Sequence, residues 1–348
     1  ELEKMAIEEA IKEAESQLNE SKVSEEEEEI DLTEEEAVEE EIKEVEVELP
    51  VEAGNKYQEK SANITVNVEA LQGNAQIVDE WDGTSDISWY LEADPTATEF
   101  ELSSAEALAG LSDLLDGTAV IPADTEVSDL ATLEGKTYVL TSDIDLKGQL
   151  FDPIGSYRFD KSFKGTFDGQ GHSILNMSQN TWDLNNGYYY NDCGMGLFGA
   201  VEGYYVTDEN GEEQIAMTVV KNLVMDGASI SGESGLCGTV AAVAAYATFE
   251  NITVKNSNVA DYQYYSGGIV GWASGEVNVT GCNIDSSTTI ATQWGDFDNS
   301  TGGVIGGASK NSKILIKDTT VACRLDVFND VTSSYQWYAY RRAGMLIG

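Results

Sequence analysis

The chain holds no apolar run of 18 or more residues, which excludes a helical membrane span. It has little positive charge, with 19 Lys and Arg against 63 Asp and Glu and a formal net charge of -44. Such a field repels phosphate backbones and anionic lipid, so nucleic-acid partners and electrostatic membrane attachment are disfavoured. One histidine and four cysteines without a Cys-x-x-Cys pair leave no zinc site or thioredoxin-type motif. The chain opens at Glu1 with a charged segment and stops at AGMLIG, inside a repeated phrase. The expectation is an N-terminal portion of a longer chain.

The charge is uneven. Residues 1–50 carry 22 acidic and 4 basic side chains, which sets them apart as an arm. Leu2, Met5, Ile7, Ile11 and Leu18 recur at helical spacing, and Glu8 stands four before Lys12. From Ser24 to Glu48 like-charge crowding favours a solvated helix or disorder, so the arm reads as helical or disordered. Residues 51–80 read as a strand-rich connector, with Ile64, Val66 and Val68 alternating on one face. Ser103 followed by Glu106 is a capping-box signature. Leu108, Leu111, Leu114 and Leu115 then predict one amphipathic helix stopped by Gly117.

Beyond that helix the chain repeats itself. MGLFG ends at Gly199, GGIVG at Gly271, GGVIG at Gly306 and GMLIG at Gly348, with a degenerate CGTVAA from Cys237. Strand-like pieces rich in Val and Ile lie between, with turns of Gly, Asn, Asp and Ser, at an irregular period of about 30 to 42 residues. A coil of this kind buries its apolar face only by stacking on its neighbours. Glycines at each phrase suit a bend where backbones approach closely. The fold expected over residues 81–348 is all-β, a parallel β-helix with one short helix.

Cys193, Cys237, Cys282 and Cys323 are 44, 45 and 41 residues apart, close to the repeat. Stacked coils lie about 4.8 Å apart, within reach of a disulfide. Cys193–Cys237 and Cys282–Cys323 are therefore candidate bridges, but a ladder of buried free thiols packing as small hydrophobes is the reading preferred.

In order, WDGTSDISWY, ELSSAEALAGLSDLL, GKTYVLTSDIDL, FDPIGSYRFDKSFKGTFDGQGHSILNM and MGLFG resemble the entry to repeat-containing bacterial cell-surface proteins. The repeats themselves are similar to the glycine-rich GLUG motif. The resemblance covers roughly residues 81–348 and implies a right-handed parallel β-helix on a secreted or wall-attached protein. Related repeats flank peptidase domains in some immunoglobulin A proteases, but no His-Glu-x-x-His signature occurs here. The resemblance thus implies a scaffold or adhesive region.

The stretch FKGTFDGQGHSI holds Asp168 beside the lone His172. An acid–base pair is one reading, with Asp143 and Asp145 as further carboxylates, as in polysaccharide lyases and glycosidases built on β-helices. A turn between two strands is the other, and the one expected. Asp296, Asp298 and Ser300 space their oxygens as in a Ca2+ loop, but Gly307 stands where the bidentate Glu belongs, so a plain polar loop is expected and a weak cation site is the alternative. Tyr188, Tyr189, Tyr190, Tyr262, Tyr264, Tyr265, Trp272 and Trp294 are candidate binding residues in turns between coils.

The function expected is a binding or adhesive surface module without enzymatic activity and without a required cofactor. Its partner would be a host or neighbouring-cell glycan or protein, immunoglobulin included. A polysaccharide-degrading enzyme and a ligand-free spacer are the alternatives.

Overall fold

In the computed structural model the described residues are 81–348 apart from 124, 126–129, 131, 157–160, 181–193, 233–234, 262–263, 293–298 and 328–340. They belong to one unit of the chain, Gln76–Gly348. The arm expected over 1–50 and the connector expected over 51–80 lie outside the described residues.

Helix α1 (Ser88–Leu91) precedes β1 (Glu99–Leu102), helix α2 (Ala105–Asp116), β2 (Lys136–Leu140) and β3 (Ile144–Asp145). Next come β4 (Gly165–Asp168), β5 (Ser173–Leu175), β6 (Ser178–Asn180), β7 (Gly194–Met195) and β8 (Phe198–Glu202). A hairpin, β9 (Tyr204–Thr207) and β10 (Glu213–Ala216), leads into β11 (Thr218–Asp226), β12 (Ser229–Gly232) and β13 (Leu236–Gly238). One coil is then β14 (Ala241–Lys255), β15 (Asn258–Asp261) and β16 (Tyr265–Gly267). Another is β17 (Val270–Thr280), β18 (Asn283–Ile284), β19 (Thr289–Thr292) and β20 (Asn299–Gly302). The last holds β21 (Ile305–Ala308), β22 (Lys313–Lys317), β23 (Thr320–Val321), β24 (Arg324–Val327) and β25 (Arg341–Gly344).

These strands stack into parallel ladders. One sheet runs β1-β2-β4-β11-β14-β17-β21, a second β24-β19-β15-β12-β6 and a third β25-β20-β16-β13-β7. The fold is an all-β parallel solenoid of the β-helix kind, as expected. Thr218 lies opposite Ala247 and Ala241 opposite Val270, 29 positions apart in each case. Where a coil carries an insertion the offset grows, reaching 53 between Thr166 and Val219. Insertions are why the repeat looks irregular in the sequence.

The core is a set of stacked columns. Phe100, Tyr138, Phe167, Val220, Phe249 and Val279 succeed one another in register, all buried. Each such apolar side chain contributes about 1.5–3 kcal/mol by leaving water. Within β14, after the buried run Ala241–Ala244, the buried positions are Ala247, Phe249, Ile252 and Val254. Alternation by two breaks at Tyr246 and Asn251, both at positive φ, 51° and 52°. A left-handed residue turns the chain and resets which side chains face inward. Asn222, Asn251, Gly281 and Asp318 occupy one such position in successive coils. Glycine, asparagine and aspartate are the residues that tolerate this conformation best.

The repeated glycine phrase is the corner between the third and first sheets. Gly268 has no room for a side chain, since a Cβ there would lie 2.2 Å from the Gly303 carbonyl oxygen of the next coil. Backbone bonds continue through the corner: Ile269 N–H donates to Val304 O at 2.9 Å, and Val304 N–H to Leu346 O at 3.2 Å.

Helix α2 buries Leu108 and Leu111 in the same core. Its N-cap is Ser104, whose hydroxyl accepts from Ala107 N–H at 3.2 Å, one residue later than the expected Ser103. Ser103 instead offers its carbonyl to the Ser142 hydroxyl at 2.7 Å. Gly117 ends the helix at φ 69°, as expected.

Candidate functional site

Strands β4 and β5 pair with the same strand, β11, and the DGQG turn is a two-residue bulge between them. Asp168 stands opposite Lys221 and Ser173 opposite Val224. Gln170 and Gly171 take positive φ of 54° and 87°, and His172 N–H donates to Gly169 O at 2.7 Å. Gly169 itself is required for close approach, its Cβ position lying 2.5 Å from Asn222 O.

The Asp168 carboxylate is fully used by this turn. It accepts from Gln170 N–H at 2.9 Å and Asn222 Nδ2 at 3.0 Å, and pairs with Lys221 Nζ at 3.2 Å. Desolvation raises its pKa, but these donors outweigh that and hold the carboxyl below the usual range. His172 faces a different carboxylate, with Nδ1 3.3 Å from Asp143 Oδ1, which also accepts Ser173 N–H at 2.8 Å. Stacking brings Asp143 and His172 together from adjacent coils, where the sequence offered Asp168 as the nearer neighbour. Asp145 is taken up by Asn176 Nδ2 and Lys147 N–H, both at 2.8 Å.

Three of the expected aromatic residues form a cluster. The Tyr264 and Tyr265 rings stack at 6.4 Å and 24°, and Tyr265 meets Trp272 at 4.6 Å and 50°. All three are half-buried. Trp272 stands opposite Gly307, where a Cβ would lie 2.5 Å from Tyr265 Cδ1 and 2.9 Å from Trp272 Cε3. Gly307 therefore makes the space in which the two rings meet. Tyr188, Tyr189, Tyr190, Tyr262 and Trp294 lie outside the described residues, as do Asp296 and Asp298. Ser300 is a buried strand residue of β20, opposite Tyr265.

Asp261, missed from the sequence, positions this cluster. It is completely buried, and its carboxylate accepts Tyr264 N–H at 2.9 Å and Gly235 N–H at 3.3 Å. A buried carboxylate persists only when satisfied by such donors. Its signal in the sequence is an aspartate directly before the tyrosine-rich turn DYQYYSGG.

The described cysteines follow the free-thiol reading. Cys282 and Cys323 are buried free thiols, as is Cys237, and Cys193 lies outside the described residues. Ile284 pairs with Val321, so Cys282 and Cys323 are displaced by four positions along the ladder. Their 41-residue spacing exceeds the 37-residue offset of that coil, and the candidate bridge does not form. Cys282 Sγ lies 3.5 Å from Thr280 O instead.

No family model and no curated protein matches the chain. A solved structure from Bacteroides ovatus, described as that of a proposed immunoglobulin A1 protease, aligns over 72% of this chain and 71% of its own, at 17% identity and a TM-score of 0.44. That description runs against the expected absence of enzymatic activity, and the expectation is withdrawn. A likeness at this level assigns no catalytic residue.

Proposed function

We propose that the chain is a ligand-binding module of an exported bacterial surface protein of the GLUG-repeat type. Its ligand would be an uncharged glycan of a host or neighbouring cell, taken on Tyr264, Tyr265 and Trp272. The observation that carries this reading is the contiguous aromatic cluster on the outside of a solenoid whose core is already filled without it. Aromatic faces stack on the apolar faces of sugar rings, and a buried carboxylate with a cleared glycine fixes these rings before any ligand arrives. The net charge of -44 disfavours anionic ligands and leaves neutral ones unopposed. The corner phrases and their stacking support the surface-repeat reading.

The test is binding of the full chain to paired arrays of glycans and host proteins, immunoglobulins included. Neutral-glycan hits lost in Trp272→Ala support the proposal. Hits confined to proteins would replace the ligand class, and hits unaffected by Trp272→Ala would move the site.

A further inference from the structure

The hairpin β9–β10 is not part of any coil. Glu202 stands opposite Ala245 and Thr218 opposite Ala247, so residues 203–217 are an insertion facing the single residue Tyr246 of the next coil. The two strands form a separate antiparallel sheet, with Tyr205 opposite Ile215 and Val206 opposite Gln214. Among the described residues neither strand pairs with any other, so each has an open edge. A two-stranded ribbon of this kind is marginal by itself, yet this one is firmly built at both ends. At its tip Asp208 accepts Asn210 N–H at 2.9 Å, Glu212 N–H at 2.8 Å and Gln214 Nε2 at 2.9 Å. At its base Tyr204 rests on Gly135, and a Cβ on Gly203 would lie 2.8 Å from Ile215 and 2.7 Å from Tyr246.

The result is an apolar strip that the solenoid does not need. Tyr205 is 70% exposed, and Ile215 and Tyr246 are each 40% exposed. Tyr246 is also strained. It holds φ 51° where the corresponding corner elsewhere uses residues suited to that region, and its ring lies over Gly275. A bulky side chain at left-handed φ is a strained backbone state, and such outliers gather at binding sites. The exposed rim beside the strip is acidic: Glu209, Glu212 and Glu213.

We infer that this strip is a docking surface for an extended protein segment that alternates apolar and cationic side chains. The segment would add to an open edge of the hairpin through main-chain hydrogen bonds, as in β-augmentation. Its apolar side chains would cover Tyr205, Ile215 and Tyr246, and its Lys or Arg would meet the glutamates. Charge selects this occupant. Residues 1–50 of the chain itself, with 22 acidic side chains against 4 basic, are repelled by the rim, and a neutral glycan makes no use of it.

The inference is independent of the glycan site, and its test uses the full chain with three short peptides: alternating Lys-Val, Glu-Val and Lys-Ser. Lys-Val is expected to bind about tenfold or more tightly than either control, with affinity falling as salt rises. Tyr205→Ser, at a largely exposed position that leaves the fold intact, is expected to weaken it about fivefold or more, and Trp272→Ala to leave it unchanged. The triple variant Glu209→Gln, Glu212→Gln, Glu213→Gln is expected to abolish most of the salt dependence. Equal binding of Lys-Val and Lys-Ser would show charge attraction alone and overturn the inference. So would no binding, or Lys-Val binding that Tyr205→Ser leaves intact. Displacement of the peptide by a neutral glycan would make the strip a carbohydrate platform instead, and also overturn it.

Discussion

Asn251 donates its side-chain amide to Asn222 Oδ1 at 2.9 Å, across one step of the solenoid. Asn222 in turn donates to Asp168 at 3.0 Å, so three coils are joined by one polar ladder at a left-handed corner. The ladder shows how one residue type serves two needs at once, a positive φ and a bond to the next coil.

Replacing Asn251 separates those needs. Asn251→Gly keeps the left-handed conformation and loses the bond, and should cost about 1 kcal/mol. Asn251→Ala loses both and should cost about 2–3 kcal/mol. Thermal unfolding of the two variants checks the order, and an alanine variant no worse than glycine would contradict the role given to φ.

The glycine corners should be the least tolerant positions. Gly268→Ala places a Cβ 2.2 Å from Gly303 O, a backbone atom that moves only if the coils part. Gly171→Ala meets nothing within 4 Å and bears only the strain of φ 87°. The first should cost about 3 kcal/mol or more and the second about 1–2, measured by denaturant unfolding.

Asp116 gives a pH signature opposite to that of the turn carboxylates Asp145, Asp168 and Asp226, which are held below the usual range. Burial pushes its pKa from 3.8 up to about 6, with Lys161 opposing and Asp152 and Asp113 adding to the rise. One of its oxygens, Oδ1, is buried without a hydrogen-bond partner. A carboxyl that binds its proton more tightly when folded stabilises the fold fully below pH 3.8 and loses that contribution as pH rises through about 6. Asp116→Asn should therefore be more stable than the parent by about 1 kcal/mol at pH 7, with the difference shrinking towards pH 4. Unfolding curves of both proteins across this range decide it.

The thiols should be inert. Burial raises the Cys237 and Cys323 pKa and pushes Cys282 up to about 11, so few thiolates exist near neutrality. Alkylation in native buffer should leave these three unmodified, and full denaturation should expose them. Rapid native labelling of Cys282 would contradict its placement beneath Phe249 and Thr280.

Much of the solenoid was legible because its corner glycines recur in a recognisable phrase, and a phrase forced by backbone contact survives changes elsewhere. Other features depend on which residues stack, and stacking is set by coil offsets that insertions disguise. The pairing of His172 with Asp143 needs the register of β3 on β5, and Asp168 is closer in sequence. The hairpin at residues 204–216 is an insertion that the repeated glycine phrase does not mark. At the aromatic site the sequence pointed to Tyr264, Tyr265 and Trp272, because clustered rings beside turns stand out. It did not point to Asp261 or Gly307, whose roles arise only when neighbouring coils close around them.

The central claim is that the Tyr265–Trp272 pair receives a glycan. Its most direct measurement is the affinity of the strongest neutral-glycan hit for the parent chain, Trp272→Phe and Trp272→Ala. Trp272→Phe is expected to keep most of the affinity and Trp272→Ala to lose about tenfold or more, about 1.4 kcal/mol, with both variants folded. Equal affinity in all three proteins would contradict it.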